Sequence, residues 1–190
     1  MSRRAVIDSV VSRVRTDGPS RSINRTQSPI RALGVPWGTI MLASLTPWLP
    51  IIAPVPILPP FGFMMLIAWR LGRPNLLPLW AGFPLGLFDD LFSGQPLGSG
   101  ILLFSLALIA IDLIEIRFPW RSFWLDWLSA GTLLLLYLTA TTLFARVPLT
   151  DLQVQLVGSQ LLFCIVLFPI IARTAALLDR LRLQRVRRID

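Results

Sequence analysis

Histidine and lysine are both absent from this 190-residue chain, and cysteine occurs once, at Cys164. Without histidine and with a single thiol, no zinc-cluster ligand set and no intramolecular disulfide can form. Without lysine there is neither a Walker-type phosphate loop nor a Schiff-base amine, which excludes energy coupling by the chain's own nucleotide hydrolysis. Ser93 and Ser105 have no histidine base to activate them, and Cys164 lies in an apolar run, so no constellation for nucleophilic catalysis is visible. The expectation is a protein that is not an enzyme and holds no metal or cofactor.

Apolar residues are abundant instead. They make up 54% of the chain, with a mean hydropathy of +0.68, far outside the range of a soluble domain of this size and indicative of an integral membrane protein. All 18 basic residues are arginine and the net charge is +8. The arginines gather at the two ends and in short loops beside apolar runs, which is a topology signal rather than a nucleic-acid footprint, so no nucleic-acid partner is expected. The first 35 residues are too polar and too long for an ordinary cleavable signal, and the N-terminus reads as retained.

The apolar segments run over 38–55, 57–68, 76–92, 97–116, 123–145 and 152–172, giving an all-α bundle of about six transmembrane helices. The second segment is short against the ~20 residues of a helical span and crowded by Pro54, Pro56, Pro59 and Pro60, so a broken or re-entrant element is the alternative there. Six crossings with both termini cytoplasmic leave only Arg146 on the far side, whereas five would strand one basic tail there. The chain accordingly divides into a basic cytoplasmic tail (1–36), a membrane domain (37–172) and a basic, helical cytoplasmic tail (173–190).

In the N-terminal tail, Ile7, Val10, Val11 and Val14 share one helical face, which fits either an interfacial helix or a disordered basic tail. Residues 16–29 read as a linker. Arg3, Arg4, Arg13, Arg15, Arg185, Arg187 and Arg188 are the candidates for contact with anionic membrane lipids, each contributing about 1 kcal/mol near such a surface.

The run from Gly82 to Gly98 sets Asp89 and Asp90 among four glycines in otherwise apolar sequence. A carboxylate at membrane depth costs about 2.5 kcal/mol or more at a helix centre, and marks an interior, partner-facing or functional position. Consecutive helical residues point about 100° apart, so the two aspartates do not face one neighbour and a paired-acid active site is disfavoured. The remaining readings are a carboxylate capping the next helix or solvated at the rim, or one carboxylate bonding inside the bundle or to a partner. Gly82 and Gly86 suit close helix packing, Gly94 and Gly98 repeat the spacing, and Pro78 and Pro84 predict a bent or interrupted helix. Asp112 and Glu115, near Arg117 and Asp126, read as acids that pair with arginine or snorkel to water at a span end rather than as a proton path. The seven tryptophans mostly fall near span ends, as in an interfacial belt.

A short proline-rich second span, Trp69-Arg70 with Arg73-Pro74, and the Gly-Leu-Phe-Asp-Asp-Leu-Phe-Ser-Gly and Pro-Leu-Gly elements of 82–98 together resemble the MreD family of bacterial rod-shape-determining membrane proteins. Asp90 matches the family's aspartate; Asp89 stands where an apolar residue is more usual, and the long arginine-rich N-terminal tail also departs from the pattern. The resemblance implies a non-enzymatic scaffold of the cell-wall elongation machinery in the inner membrane. It would bind MreC and, through the wider complex, MreB, RodA and PBP2. It also implies a fold like the substrate-binding subunits of energy-coupling-factor transporters, which supplies the alternative of a small-molecule or lipid-binding transporter subunit. Asp90, Gly82, Gly86, Gly94, Pro96 and Gly98 are the candidates for shaping the central hairpin or meeting a partner.

Overall fold

Proline and glycine mark several helix ends, while Pro36 and Pro169 lie inside helices. The computed structural model describes residues 29–48, 58–74, 76–117, 122–146 and 150–183, and among these every regular element is helical. The helices are α1 (Pro29–Ser44), α2 (Phe61–Gly72), α3 (Gly82–Ser93), α4 (Ser99–Arg117), α5 (Phe123–Phe144) and α6 (Asp151–Leu183), with short 3-10 turns at Thr46–Trp48 and Leu79–Ala81. Helix α1 begins at Pro29, ahead of the expected apolar start at Gly38, and α6 carries its helix beyond Arg173 to Leu183.

Pro78 precedes the 3-10 turn, and Pro84 is the third residue of α3, where its missing N–H would have had no intrahelical partner. The two prolines therefore set where α3 starts rather than bending its middle. Ser122 starts α5 by accepting from Leu125 N at 3.4 Å, with Asp126 in the positive first turn.

Helices α4, α5 and α6 are long and apolar enough to cross a membrane. The 12-residue helices α2 and α3 each rise about 18 Å, short of the ~30 Å hydrocarbon thickness. Shortness does not make α2 peripheral: it packs against α1, α4, α5 and α6. Its Phe63, Met64, Leu66, Ile67 and Trp69 are all buried, as expected of a helix apolar on every side. Phe63 stacks on Tyr137 at 4.2 Å and meets Phe104 edge-on at 5.5 Å, tying α2 to α5 and α4.

Trp69 is an exception to the interfacial belt. It is 1% exposed and donates its indole N–H to Thr39 Oγ1 at 2.9 Å. Trp48, Trp80 and Trp124 are exposed, as a belt requires. The outward faces of α4 and α5 carry Leu102, Leu106, Ile109, Leu113, Leu135 and Leu136, an apolar surface suited to hydrocarbon.

Candidate functional site

A helix N-terminus presents backbone N–H groups with no partner inside the helix. At the start of α4 they are supplied with acceptors from outside it. Asp90, 3% exposed near the end of α3, accepts from Gly98 N (2.8 Å, Oδ2), Gly100 N (2.7 Å, Oδ1) and Ile101 N (3.4 Å, Oδ2). Ser99 N turns back to Pro96 O at 3.1 Å, and the Ser99 hydroxyl lies 2.7 Å from Pro96 O and 3.2 Å from Asp90 Oδ1. Each amide from Gly98 to Ile101 thus has an acceptor, and the carboxylate's charge faces the positive end of the helix. Of the readings open for Asp90, the structure selects the cap of the next helix.

The glycines divide into two roles. A Cβ on Gly82 would lie 2.7 Å from Ser105 Cα, and one on Gly86 would lie 2.5 Å from Gly100 O, so these two set the approach of α3 to α4. Gly94 and Gly98 make no such contact. They have φ of 69° and 99°, and they shape the turn between the helices, Gly94 as the left-handed cap of α3. The same four-residue spacing thus serves close packing in one pair and a turn in the other. Pro96 is exposed and contributes its carbonyl to the turn.

Asp89, 5% exposed, faces away from Asp90's amides, as the helical offset requires, and lies within reach of Ser44 on α1 and Tyr137 on α5. Gln95 Nε2 donates to the Tyr137 hydroxyl at 3.1 Å. Gly62 at the start of α2 leaves room for this polar cluster: a Cβ there would collide with Ser44 Oγ and come within 2.8 Å of Asp89 Oδ1. Ser44, Gly62, Gln95 and Tyr137 escaped the sequence reading. The visible signal at Ser44, Gly62 and Tyr137 is that small or hydroxylated residues interrupt apolar runs, and Gln95 gives none. The carboxylates serve different neighbours and share no bound group.

At the other end of the bundle, α2, α4 and α6 bring their C-terminal parts together. Arg70, 2% exposed, forms ion pairs with Asp112 and with Glu115 (3.1 Å), and Arg73 holds Asp179 through Nε (2.8 Å) and Nη2 (2.6 Å). The acids of α4 do pair with arginine, and the arginine comes from α2, 42 and 45 residues away in sequence. Among the described residues, no three His, Cys, Asp or Glu side chains gather to hold a metal ion.

The tail positions Arg3, Arg4, Arg13, Arg15, Arg185, Arg187 and Arg188, with the apolar face of Ile7 to Val14, lie outside the described residues. Compared with protein-family models, with curated proteins and with solved structures, the chain matches none.

Proposed function

We propose that this protein is a non-enzymatic scaffold of the bacterial cell-wall elongation complex, an MreD-like subunit of the inner membrane that binds MreC and helps maintain rod shape. In this reading the chain crosses the membrane six times with both termini cytoplasmic, on a plan like the substrate-binding subunits of energy-coupling-factor transporters. MreB, RodA and PBP2 are reached through the wider complex.

The observation that carries the reading is that the distinctive residues of 82–98 work as one unit. Asp90 caps α4, Gly82 and Gly86 close the two helices together, and Gly94, Pro96 and Gly98 form the turn. Such a rigid hairpin presents two outward apolar stripes: Phe83, Leu87 and Leu91 on α3, and Leu102, Leu106, Ile109 and Leu113 on α4. Spacings of three and four residues are those into which one further transmembrane helix packs. A scaffold needs a stiff surface of this kind and no reacting group.

The test is purification of the full-length protein with MreC in mild detergent. Wild type should retain MreC. Leu87→Trp with Leu91→Trp, which alters the outward stripe without touching the cap, should lower recovery several-fold at normal expression. Undiminished MreC recovery with this double variant and with Asp90→Ala would reject the hairpin as the partner surface.

A further inference from the structure

Asp89 is a buried carboxylate that the cap of α4 does not use. Its polar neighbours are Ser44, Tyr137 and Asp90. Two of these are neutral, and the third is an acid already committed to the amides of α4. None of the described arginines forms an ion pair with Asp89. A buried carboxylate without a counter-charge requires either a proton or a cation.

Oxygen atoms around it are left over. Ser44 is 2% exposed and its Oγ has no hydrogen-bond partner, and the Oγ of Ser93 is buried in the same condition. Ser93 stands one turn beyond Asp89 on the same face of α3, and helical side chains lean back toward the preceding turn. Ser44 approaches from α1. The place of a Cβ on Gly62 is blocked by Ser44 Oγ and lies 2.8 Å from Asp89 Oδ1, so hydroxyl and carboxylate border one small space. Ser44 is within reach of the carboxylate, yet its Oγ meets no partner in hydrogen-bond geometry. Oxygens that converge without bonding one another are placed as ligands are.

The backbone adds to the set. Ser44 ends α1 and Ser93 ends α3. Trp48, just beyond α1, meets Phe92 edge-on at 5.8 Å, which holds the two ends side by side. Each helix C-terminus carries about half a negative charge and carbonyl groups without intrahelical partners. The first turn of α2, at Gly62, brings about half a positive charge, which leaves the site negative on balance. Interrupted membrane helices hold sodium with C-terminal carbonyls of this kind.

One free carboxylate supplies too little charge for zinc or calcium. It matches a monovalent ion held otherwise by neutral oxygens, and the tightness at Gly62 favours a small one. We propose that Asp89, Ser44 and Ser93 hold a sodium ion between the ends of α1 and α3, with Tyr137, itself bonded by Gln95, positioning the carboxylate. The proposal does not depend on the scaffold reading, since it concerns the interior of the bundle.

The full-length protein in mild detergent would be melted at constant ionic strength in the chlorides of sodium, potassium and N-methylglucamine. Sodium at about 150 mM should raise the melting temperature by about 3 °C or more over N-methylglucamine, and potassium by less than about half as much. Asp89→Asn keeps the shape of the side chain, removes its charge and should abolish the sodium shift. Ser44→Ala should weaken sodium binding about fivefold, read by isothermal titration calorimetry, and serves as the second variant if Asp89→Asn fails to fold. Equal melting of the wild type in the three salts would overturn the proposal in favour of a protonated carboxyl. Sodium dependence undiminished in Asp89→Asn or in Ser44→Ala would overturn it in favour of an ion held elsewhere. Potassium as effective as sodium would overturn the assignment of a small ion to this space.

Discussion

Gly100 donates its N–H to Asp90 Oδ1 at 2.7 Å and, by lacking a side chain, leaves that same oxygen its place, since a Cβ there would lie 2.7 Å from it. Donor and vacancy are properties of one residue. The cap and the close approach of α3 to α4 therefore stand or fall together.

Asp90→Ala removes the acceptor for three backbone N–H groups, of which that of Gly100 is buried, and should lower stability by about 3 kcal/mol. Asp90→Asn, which keeps the shape but brings amide hydrogens toward those donors, should fall between alanine and wild type. Thermal melting of the three proteins in one detergent checks the order; equal melting of alanine and wild type would remove the cap from the account.

Arg70 is the buried counter-charge for two carboxylates. Arg70→Ala should cost about 3–5 kcal/mol, because Asp112 and Glu115 are left without it. Arg70→Lys should recover only part of that, since one ammonium cannot present a fork to two acids. Adding Asp112→Asn and Glu115→Gln to Arg70→Met should restore most of the stability lost in Arg70→Ala, read as melting temperature and as yield of monodisperse protein.

Gly62 faces Ser44 and Asp89, so Gly62→Ala should destabilise the protein, and the loss should be smaller in a Ser44→Ala background. Residues that share one space couple in this way, with interaction terms of about 0.5–3 kcal/mol. A double-mutant cycle on melting would expose the coupling; strict additivity would place the two residues apart.

Arg146, following α5, has φ of 51°, a left-handed conformation that costs an L-residue about 1–2 kcal/mol. Arg146→Gly should raise stability by about 0.5–1 kcal/mol after the greater freedom of glycine in the unfolded chain is deducted. A small upward shift in melting temperature is the expected readout.

The described helices were legible, α1 only in part, because long apolar runs, mostly bounded by proline, glycine and arginine, are local signals. The cap by Asp90 was legible as one of a few options, since donor and acceptor lie within eleven residues along the chain. The other side of the same segment was not. Asp89 meets Ser44 and Tyr137, more than forty residues away in either direction, and no local periodicity announces that meeting. Arg70 illustrates the same gap. Its acids were expected to find an arginine at a span end, and only the packing of α2 against α4 makes that arginine Arg70 rather than the adjacent Arg117. Helix α2 looked marginal because length and prolines were visible while its surroundings on four sides were not.

Those surroundings bear on how the protein is made. A 12-residue helix is too short to be held in a bilayer by its own apolar length, and α2 also carries Arg70, whose counter-charges belong to a helix synthesised about forty residues later. Until α4 emerges, that arginine lacks the two carboxylates it pairs with in the fold, and until α6 emerges, Arg73 lacks Asp179. Stable seating of α2 thus waits for the chain that follows it. An arrest of synthesis before residue 112 should leave α2 exposed to quality-control proteolysis, and an arrest after residue 183 should protect it.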